Sequence, residues 1–391
     1  MKTIYLDYNA TAPVKPAVID AMTAALVEGG NPSSVHAPGR AARMAVEEAR
    51  IKLADLLGAV AENIIFTSGG TEAANQAICT AVGIDRVLIS AIEHDCVLAA
   101  ANASRLPVEE IPVNIDGLVD LEALEAMLAK GEGEESGAGR AGRAGKALVS
   151  VMLANNETGV IQPIAEVAEI AHAHGALVHT DATQTPGKIA VDFAGLGVDL
   201  LSMSAHKIGG PQGIGALIHR PGLEVRPFIA GGGQERGRRS GTENVAGIVA
   251  LGVAAELAAG DLEKAAGIGA LRDRMEAAIL QASPESRIFG ARSPRLPNTS
   301  YFTMPGVPGE TQVIAMDLAG YAISSGSACA SGKVKRSRVL VGMGASDSDA
   351  VNAIRVSLGP TTTDEDVDGF LRAWTALLEK KRSQNPLEAA E

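Results

Sequence analysis

The alternation of short buried strands with helices over the first 220 residues is the feature that most limits how this chain can fold. Residues 40–57 place Ala42, Ala45, Val46, Ala49, Leu53, Leu56 and Leu57 at helical spacing, and Gly58 follows as a stop. Ile64-Ile65-Phe66 reads as a strand, Thr67-Ser68-Gly69-Gly70-Thr71 as a turn, and a helix is expected from Glu72. Further strands are expected at 86–90, 147–153, 176–180, 199–203 and 215–219, with a helix over 163–174 ended by Gly175. Strands that alternate with helices imply a mostly parallel sheet covered by helices on both faces. In such sheets ligands sit outside the carboxyl ends of the strands.

The polar clusters of this chain fall at those ends. Lys207 follows a buried strand in the run Ser202-Met203-Ser204-Ala205-His206-Lys207, a poor place for a solvated charge. Asp181 ends the strand before it, with Gln184 three residues on. A lysine and an aspartate, each at the end of its own strand, are the pair that pyridoxal phosphate needs. The amine forms a Schiff base with the aldehyde, and the carboxylate keeps the pyridinium nitrogen protonated. Gly70 and Thr71 stand at a strand-to-helix turn, where free N–H groups and a dipole end favour an anion. Ser204 and His206 add donors to that phosphate cup. His94, at a helix entry, is either a stacking partner for a planar ring or an exposed first-turn residue. Asn155-Asn156 ends a strand and reads as either a ligand for a ring oxygen or carboxylate, or a turn former. Arg355, flanked by Ile354 and Val356, needs an anionic partner, whether a substrate α-carboxylate or a structural ion pair.

Cysteine usage separates one residue from the other two. Cys329 lies in Ser-Gly-Ser-Ala-Cys-Ala-Ser-Gly, among small residues and ahead of Lys333, Lys335, Arg336 and Arg338, a setting for a reactive thiolate. Cys79 and Cys96 lie in helical, alanine-rich contexts and read as core. Three scattered cysteines make neither a disulfide framework nor a zinc site, and His172, His174, His179 and Asp181 do not share one helix face. A net charge of −12, no dense basic block and 3% aromatic residues argue against nucleic acid and against an anionic membrane as partners. The polar start of the chain gives no signal or spanning segment, so a soluble, cytoplasmic setting is expected. The Gly-rich stretch 131–145 reads as a surface loop; it departs from a nucleotide P-loop at Arg140 and Ala147. After about residue 250 the chain turns helix-rich and alanine-rich, as for a second domain.

These residues resemble the cysteine desulfurases of the NifS/IscS type, within the class V aminotransferases. The matching runs extend nearly end to end: YLDYNATAPV, GNPSSVH, FTSGGTEAANQAI, EHDCVL, ANNETG, HTDATQTPGK, SMSAHKIGGPQGIGAL, GGGQERGRRSGTENV, SSGSACASG and IRVSLG. The resemblance implies a fold-type I pyridoxal phosphate enzyme: a large domain over 14–255, and a smaller α+β domain of 1–13 with 256–391 carrying a cysteine loop at about 324–338. It implies that Lys207 bears the cofactor, Asp181 and Gln184 bind its ring, and Gly70, Thr71, Ser204 and His206 bind its phosphate. His94 would stack on the ring and move protons. Thr242 would reach the partner subunit's phosphate in a homodimer. Asn156 and Arg355 would bind the carboxylate of L-cysteine, and Cys329 would take its sulfur for delivery to an iron–sulfur scaffold or a thiolation relay. A selenocysteine lyase, another class V lyase or aminotransferase, and a non-catalytic scaffold of the same fold are the alternatives.

Overall fold

The computed structural model describes residues 3–130, 146–326 and 336–384. The Gly-rich stretch 131–145 and Cys329 therefore lie outside the described residues. The chain opens with β1 (Ile4–Tyr5) and continues through β2 (Ile64–Thr67), β3 (Arg86–Ser90), β4 (Val108–Ile111), β5 (Ala147–Ser150), β6 (Leu177–Asp181), β7 (Leu200–Ser204) and β8 (Gly215–His219). Among the described residues, β2 to β8 form a seven-stranded sheet in the order β2-β8-β7-β6-β5-β3-β4. Only β8 runs against its neighbours. The central strands β5, β6 and β7 are buried throughout, as expected of apolar strands covered on both faces by crossover helices. The molecule is thus α/β with a mostly parallel sheet, as the alternation predicts.

Helix boundaries follow local chemistry. Gly58 takes the left-handed conformation (φ 60°) that ends helix Ala37–Leu57, and the His36 ring caps its start by accepting from Gly39 N–H. Helix Ile164–Ala173 ends just before Gly175 (φ 68°). The strand expected over 147–153 is regular only to Ser150. Val151 and Leu153 still donate to β6, but the Met152 N–H points the other way and donates to the Glu93 carboxylate at 2.7 Å. The strand expected at 199–203 is shifted by one, because Ser204 still pairs with Gly215.

Val245–Ala282 is long and apolar enough by composition to cross a bilayer, but half of its most apolar 18-residue window is buried inside the protein. Its first part, Val245–Asp261, packs on helix Ala37–Leu57. A Cβ at Gly252 would lie 2.7 Å from the Ala49 backbone, so the contact requires glycine. Residue 255, where the sequence reading divides the chain, falls within this helix.

Beyond it, β9 (Thr299–Thr303), β10 (Tyr321–Ala322), β11 (Ser324–Ser325) and β12 (Ala353–Ser357) complete the strands. β11, β12 and β9 form an antiparallel sheet, and β10 pairs with β1. A separate core of Leu6, Phe302, Phe370 and Trp374 packs here.

One buried ion pair ties the loop after β8 to the sheet edge. Arg50 holds Glu235 through two parallel bonds of 3.0 Å, and Glu235 also accepts from Phe66 N–H at 2.9 Å. Both side chains are at most 4% exposed. Removing Glu235 leaves the buried Arg50 with only the more exposed Glu47 at 3.2 Å, so Glu235→Gln is expected to lower the unfolding free energy by about 3 kcal/mol, read from urea denaturation.

Candidate active site at the carboxyl ends of the parallel strands

β6 and β7 are parallel neighbours, with Asp181 opposite Ser202. Asp181 is the last residue of β6, and Lys207 follows β7 after the single turn Ala205–Lys207. Both open into one cavity of about 940 Å³, which Gln184, Ser204 and His206 also line. The helix Gly70–Cys79 aims its N-terminus at the same cavity, so Gly70 and Thr71 join the wall. Gly215 permits this approach: a Cβ there would stand 2.6 Å from both the Gly69 carbonyl carbon and the Met203 oxygen. A Cβ on Gly70 would come within 3.1 Å of Thr183 Oγ1, so glycine keeps the floor of this corner open. Glu72 secures the helix start by accepting from Ser68 N–H at 2.7 Å.

Asp181 is held by its own strand end. Its carboxylate accepts from Thr183 N–H at 2.9 Å and faces Ser202 Oγ at 3.4 Å. His94 lines the cavity at the entry to helix Asp95–Ala103. Its Nδ1 accepts from Cys96 N–H at 3.2 Å. A backbone N–H can only donate, so the neutral ring carries its proton on Nε2.

Lys207 is enclosed rather than solvated. Its Nζ donates to the carbonyls of Asn9 and Ala10 at 2.5 and 2.9 Å. Burial, and then the charge of Arg355, lower its pKa to about 8, against an opposing pull from Asp181 and Asp7. Burial and Lys207 hold His206 at about 4, so its imidazole is neutral near pH 7.

On the far wall, Arg355 in β12 makes the ion pair that its sequence context called for. It pairs with Asp7 at 2.8 Å and donates to the Asn156 carbonyl at 2.8 Å, yet its Nε is buried with no partner and the residue lines the cavity. Ser324 Oγ donates to the other Asp7 oxygen at 2.7 Å, which ties β11 to the arginine. Asn156 lines the cavity, while Asn155 is buried and spends its side chain on the turn, accepting from Glu157 and Thr158 N–H. Gly326 and Arg336, which flank the segment containing Cys329, both line the cavity. Thr242 does not: it is exposed, in the loop tied down by Glu235.

The core expectation fails for Cys79 and holds in part for Cys96, which packs against the apolar cluster of Ile65, Val97 and Leu148. Cys96 is half-buried and lines the cavity, with Sγ 3.0 Å from His94 Nδ1; Cys79 is exposed at a helix end. Helical spacing reported that each lay on a helix, not that its face met the cavity or solvent. The histidines form no metal cluster among the described residues. His172 bonds Asp199, and His179 sits between Ser150 and Ser202.

Sequence reading missed Asn9, Glu93 and Glu157. Asn9 belongs to the N-terminal segment, which the chain folds back over Lys207 from nearly 200 residues away. Glu93 is buried beneath His94 and pushed up to about 8, chiefly by desolvation and further by Asp181. Glu157 accepts from Ser337 Oγ at 2.5 Å and is pushed up to about 7 by burial. The run EHDCVL held the first signal and ANNETG the second, since each sets a glutamate beside a cluster at a strand end.

A lysine and a carboxylate at adjacent strand ends, a helix N-terminus open to the same cavity and an opposed arginine are the features of a class V aminotransferase site. The Aminotransferase class-V family model matches residues 4–370, and the chain belongs to that family. A cysteine desulfurase of Cereibacter sphaeroides is 43% identical over the full length of both chains. The cysteine desulfurase IscS of Dictyoglomus turgidum is 40% identical, covering 98% of this chain and 97% of its own. The X-ray structure of a NifS-like protein from Rickettsia africae superposes with a TM-score of 0.87 at 36% identity, covering 96% of this chain and 99% of that one. Class V aminotransferases and cysteine desulfurases are, in general, pyridoxal phosphate enzymes.

Proposed function

We propose that this protein is a pyridoxal phosphate-dependent cysteine desulfurase. It converts L-cysteine to L-alanine and takes the sulfur onto Cys329 as a persulfide, for transfer to an acceptor protein of iron–sulfur assembly or thiolation. The observation that carries the reading is the placement of Asp181 and Lys207 at adjacent strand ends, in one cavity with Arg355.

The donor set fits the cofactor. The open corner at Gly70, with the helix N-terminus, Thr71, Ser204 and His206, suits a phosphate. Asp181 suits a pyridinium nitrogen, Gln184 a ring hydroxyl, and the His94 ring a planar face. When bound, pyridoxal phosphate supplies an electron sink that acidifies the Cα proton and weakens the C–S bond. The chain does the rest. Arg355 Nε and Asn156 orient the cysteine carboxylate. Lys207, with its lowered pKa, removes and returns the Cα proton. The Cys329 thiolate attacks the substrate sulfur and forms the S–S bond, while the C–S electron pair stays with the carbon, which takes a proton moved by His94 and becomes the methyl of alanine.

Lys207 must be uncharged to attack an aldehyde. Incorporation of pyridoxal phosphate into cofactor-free protein is therefore expected to accelerate with pH and level off above about 8, the Lys207 value. At pH 7 the rate should be about one tenth of the plateau, read by stopped-flow absorbance.

A homodimer is part of the proposal. Ile19, Leu26 and Val27 on helix Pro16–Glu28 are exposed, as are Met44 and Ile51 on helix Ala37–Leu57, with Val27 at 83% and Met44 at 72%. Apolar side chains this exposed on two helices that both pack on helix Val245–Asp261 suit a second copy. Light scattering should give twice the 40.0 kDa chain mass.

The reaction is tested by incubation with L-cysteine and dithiothreitol, which reduces the persulfide to sulfide, and measurement of alanine and sulfide together. Equal yields support the proposal; cysteine consumed without alanine overturns it.

A further inference from the structure

Lys188 is a half-buried amine that the proposed chemistry does not use. It follows β6 by seven residues, and its amine donates to two oxygens, Gln184 Oε1 and Asn9 Oδ1, each at 2.8 Å. Both partners are neutral amides. Desolvation, followed by the charges of Lys207 and Arg355, holds its pKa well below the usual lysine value. Even an uncharged amine has two hydrogens for these two oxygens.

Its effect is to decide which way two amides face. The two ends of a glutamine or asparagine amide are alike in shape, so only the bonding partners set the orientation. With Gln184 Oε1 turned to Lys188, Gln184 Nε2 is turned to the cavity, donating one hydrogen to Asn9 O at 3.0 Å and leaving the second for a ligand. Asn9 Oδ1 accepts from Lys188 and from Asn298 Nδ2 at 3.0 Å. Asn9 Nδ2 therefore donates to Thr299 Oγ1 at 2.8 Å and to the Asn156 carbonyl at 3.3 Å, the same carbonyl that Arg355 holds. The Asn9 carbonyl is also the one that Lys207 engages.

We infer that Lys188 is a positioning residue, which acts through Gln184 to present an N–H donor to the cofactor's ring hydroxyl. This rests on the reading that the cavity holds pyridoxal phosphate. A flipped Gln184 would set an oxygen against the ring oxygen, an acceptor against an acceptor. A donor at that oxygen favours its anionic form, and losing the donor makes the anion harder to form.

The test uses the purified protein loaded with pyridoxal phosphate. In Lys188→Met, the pH at which the visible band of the bound cofactor titrates is expected to rise by about 0.5 to 1 unit. The dissociation constant for pyridoxal phosphate, measured from cofactor-free protein, should increase about tenfold, the loss of one hydrogen bond. Lys188→Gln keeps one N–H for Gln184, so its rise should be smaller but measurable; it serves as the readout if Lys188→Met does not fold. In a Gln184→Ala background neither substitution should move the titration further. A wild-type titration pH in the folded Lys188 variants overturns the inference, as does a shift of the same size in the Gln184→Ala background. Wild-type protein that binds no pyridoxal phosphate overturns the cofactor reading first, and this inference with it.

Discussion

Lys207→Ala is expected to lower alanine formation from L-cysteine by about 10⁴-fold or more, because one side chain performs two jobs. In the proposed function its amine is the attachment point for the cofactor and the base for the Cα proton. Neither neighbour can substitute. Lys188 is held by Gln184 Oε1 and Asn9 Oδ1, and His206 is neutral and bonded to Thr11 at 3.2 Å. The fold should survive, since Lys207 bonds only two carbonyls at the cavity wall and sits outside the sheet. Two measurements check this: turnover, and borohydride reduction followed by peptide mapping. Wild type should carry the reduced cofactor on Lys207, and the variant should bind it reversibly without a covalent adduct. Residual activity of more than a few per cent would mean that another group moves the proton.

Cys329→Ala should separate sulfur transfer from cofactor chemistry. The loss of transferred sulfur is expected to be about 10³-fold or more, as for removal of a nucleophile, while pyridoxal phosphate binding and the visible spectrum stay unchanged. The independence follows from the geometry: Asp181, Lys207 and Arg355 are positioned by β6, β7 and β12, none of which contains residue 329. Alanine and persulfide are measured together, the latter by alkylation and mass spectrometry. If the variant still passes sulfur from cysteine to an added thiol at the wild-type rate, Cys329 is not the acceptor. Cys96 would then be examined. Its thiol lies in the cavity beside His94, but burial pushes it up to about 12, with Asp181 and Glu93 adding to the shift, so it is a poor nucleophile.

Much of the site was legible because its signals are local. Asp181 and Lys207 each stand where a run of buried strand residues stops, and a strand end is readable from a few residues. The Ser68 to Glu72 turn carried glycine, hydroxyl and capping carboxylate together. Arg355 was legible as a buried charge that needed a partner, but its partner was not. Asp7 lies 348 residues away, and only β12 and the N-terminal segment bring the two together. Cys96 was misread in part for a related reason. Its helix was recognisable, but which face of that helix met the cavity depends on how it packs against neighbours distant in sequence.

By itself the sequence determined the class of architecture, because hydrophobic period and turn residues act within a few positions of the chain. It also determined the chemical inventory: one lysine, one aspartate and one arginine in settings where a charge needs a reason. The tertiary structure alone decided that β6 lies beside β7, which turns two separate strand ends into one site. It alone brought Asn9 over Lys207, set the amides of Gln184 and Asn9 against Lys188, and lowered the Lys207 pKa to about 8. The physical reason is common to all three. Burial, charge and hydrogen-bond partners are set by what lies nearby in space, and around Lys207 those neighbours come from residues 9, 10, 181 and 355.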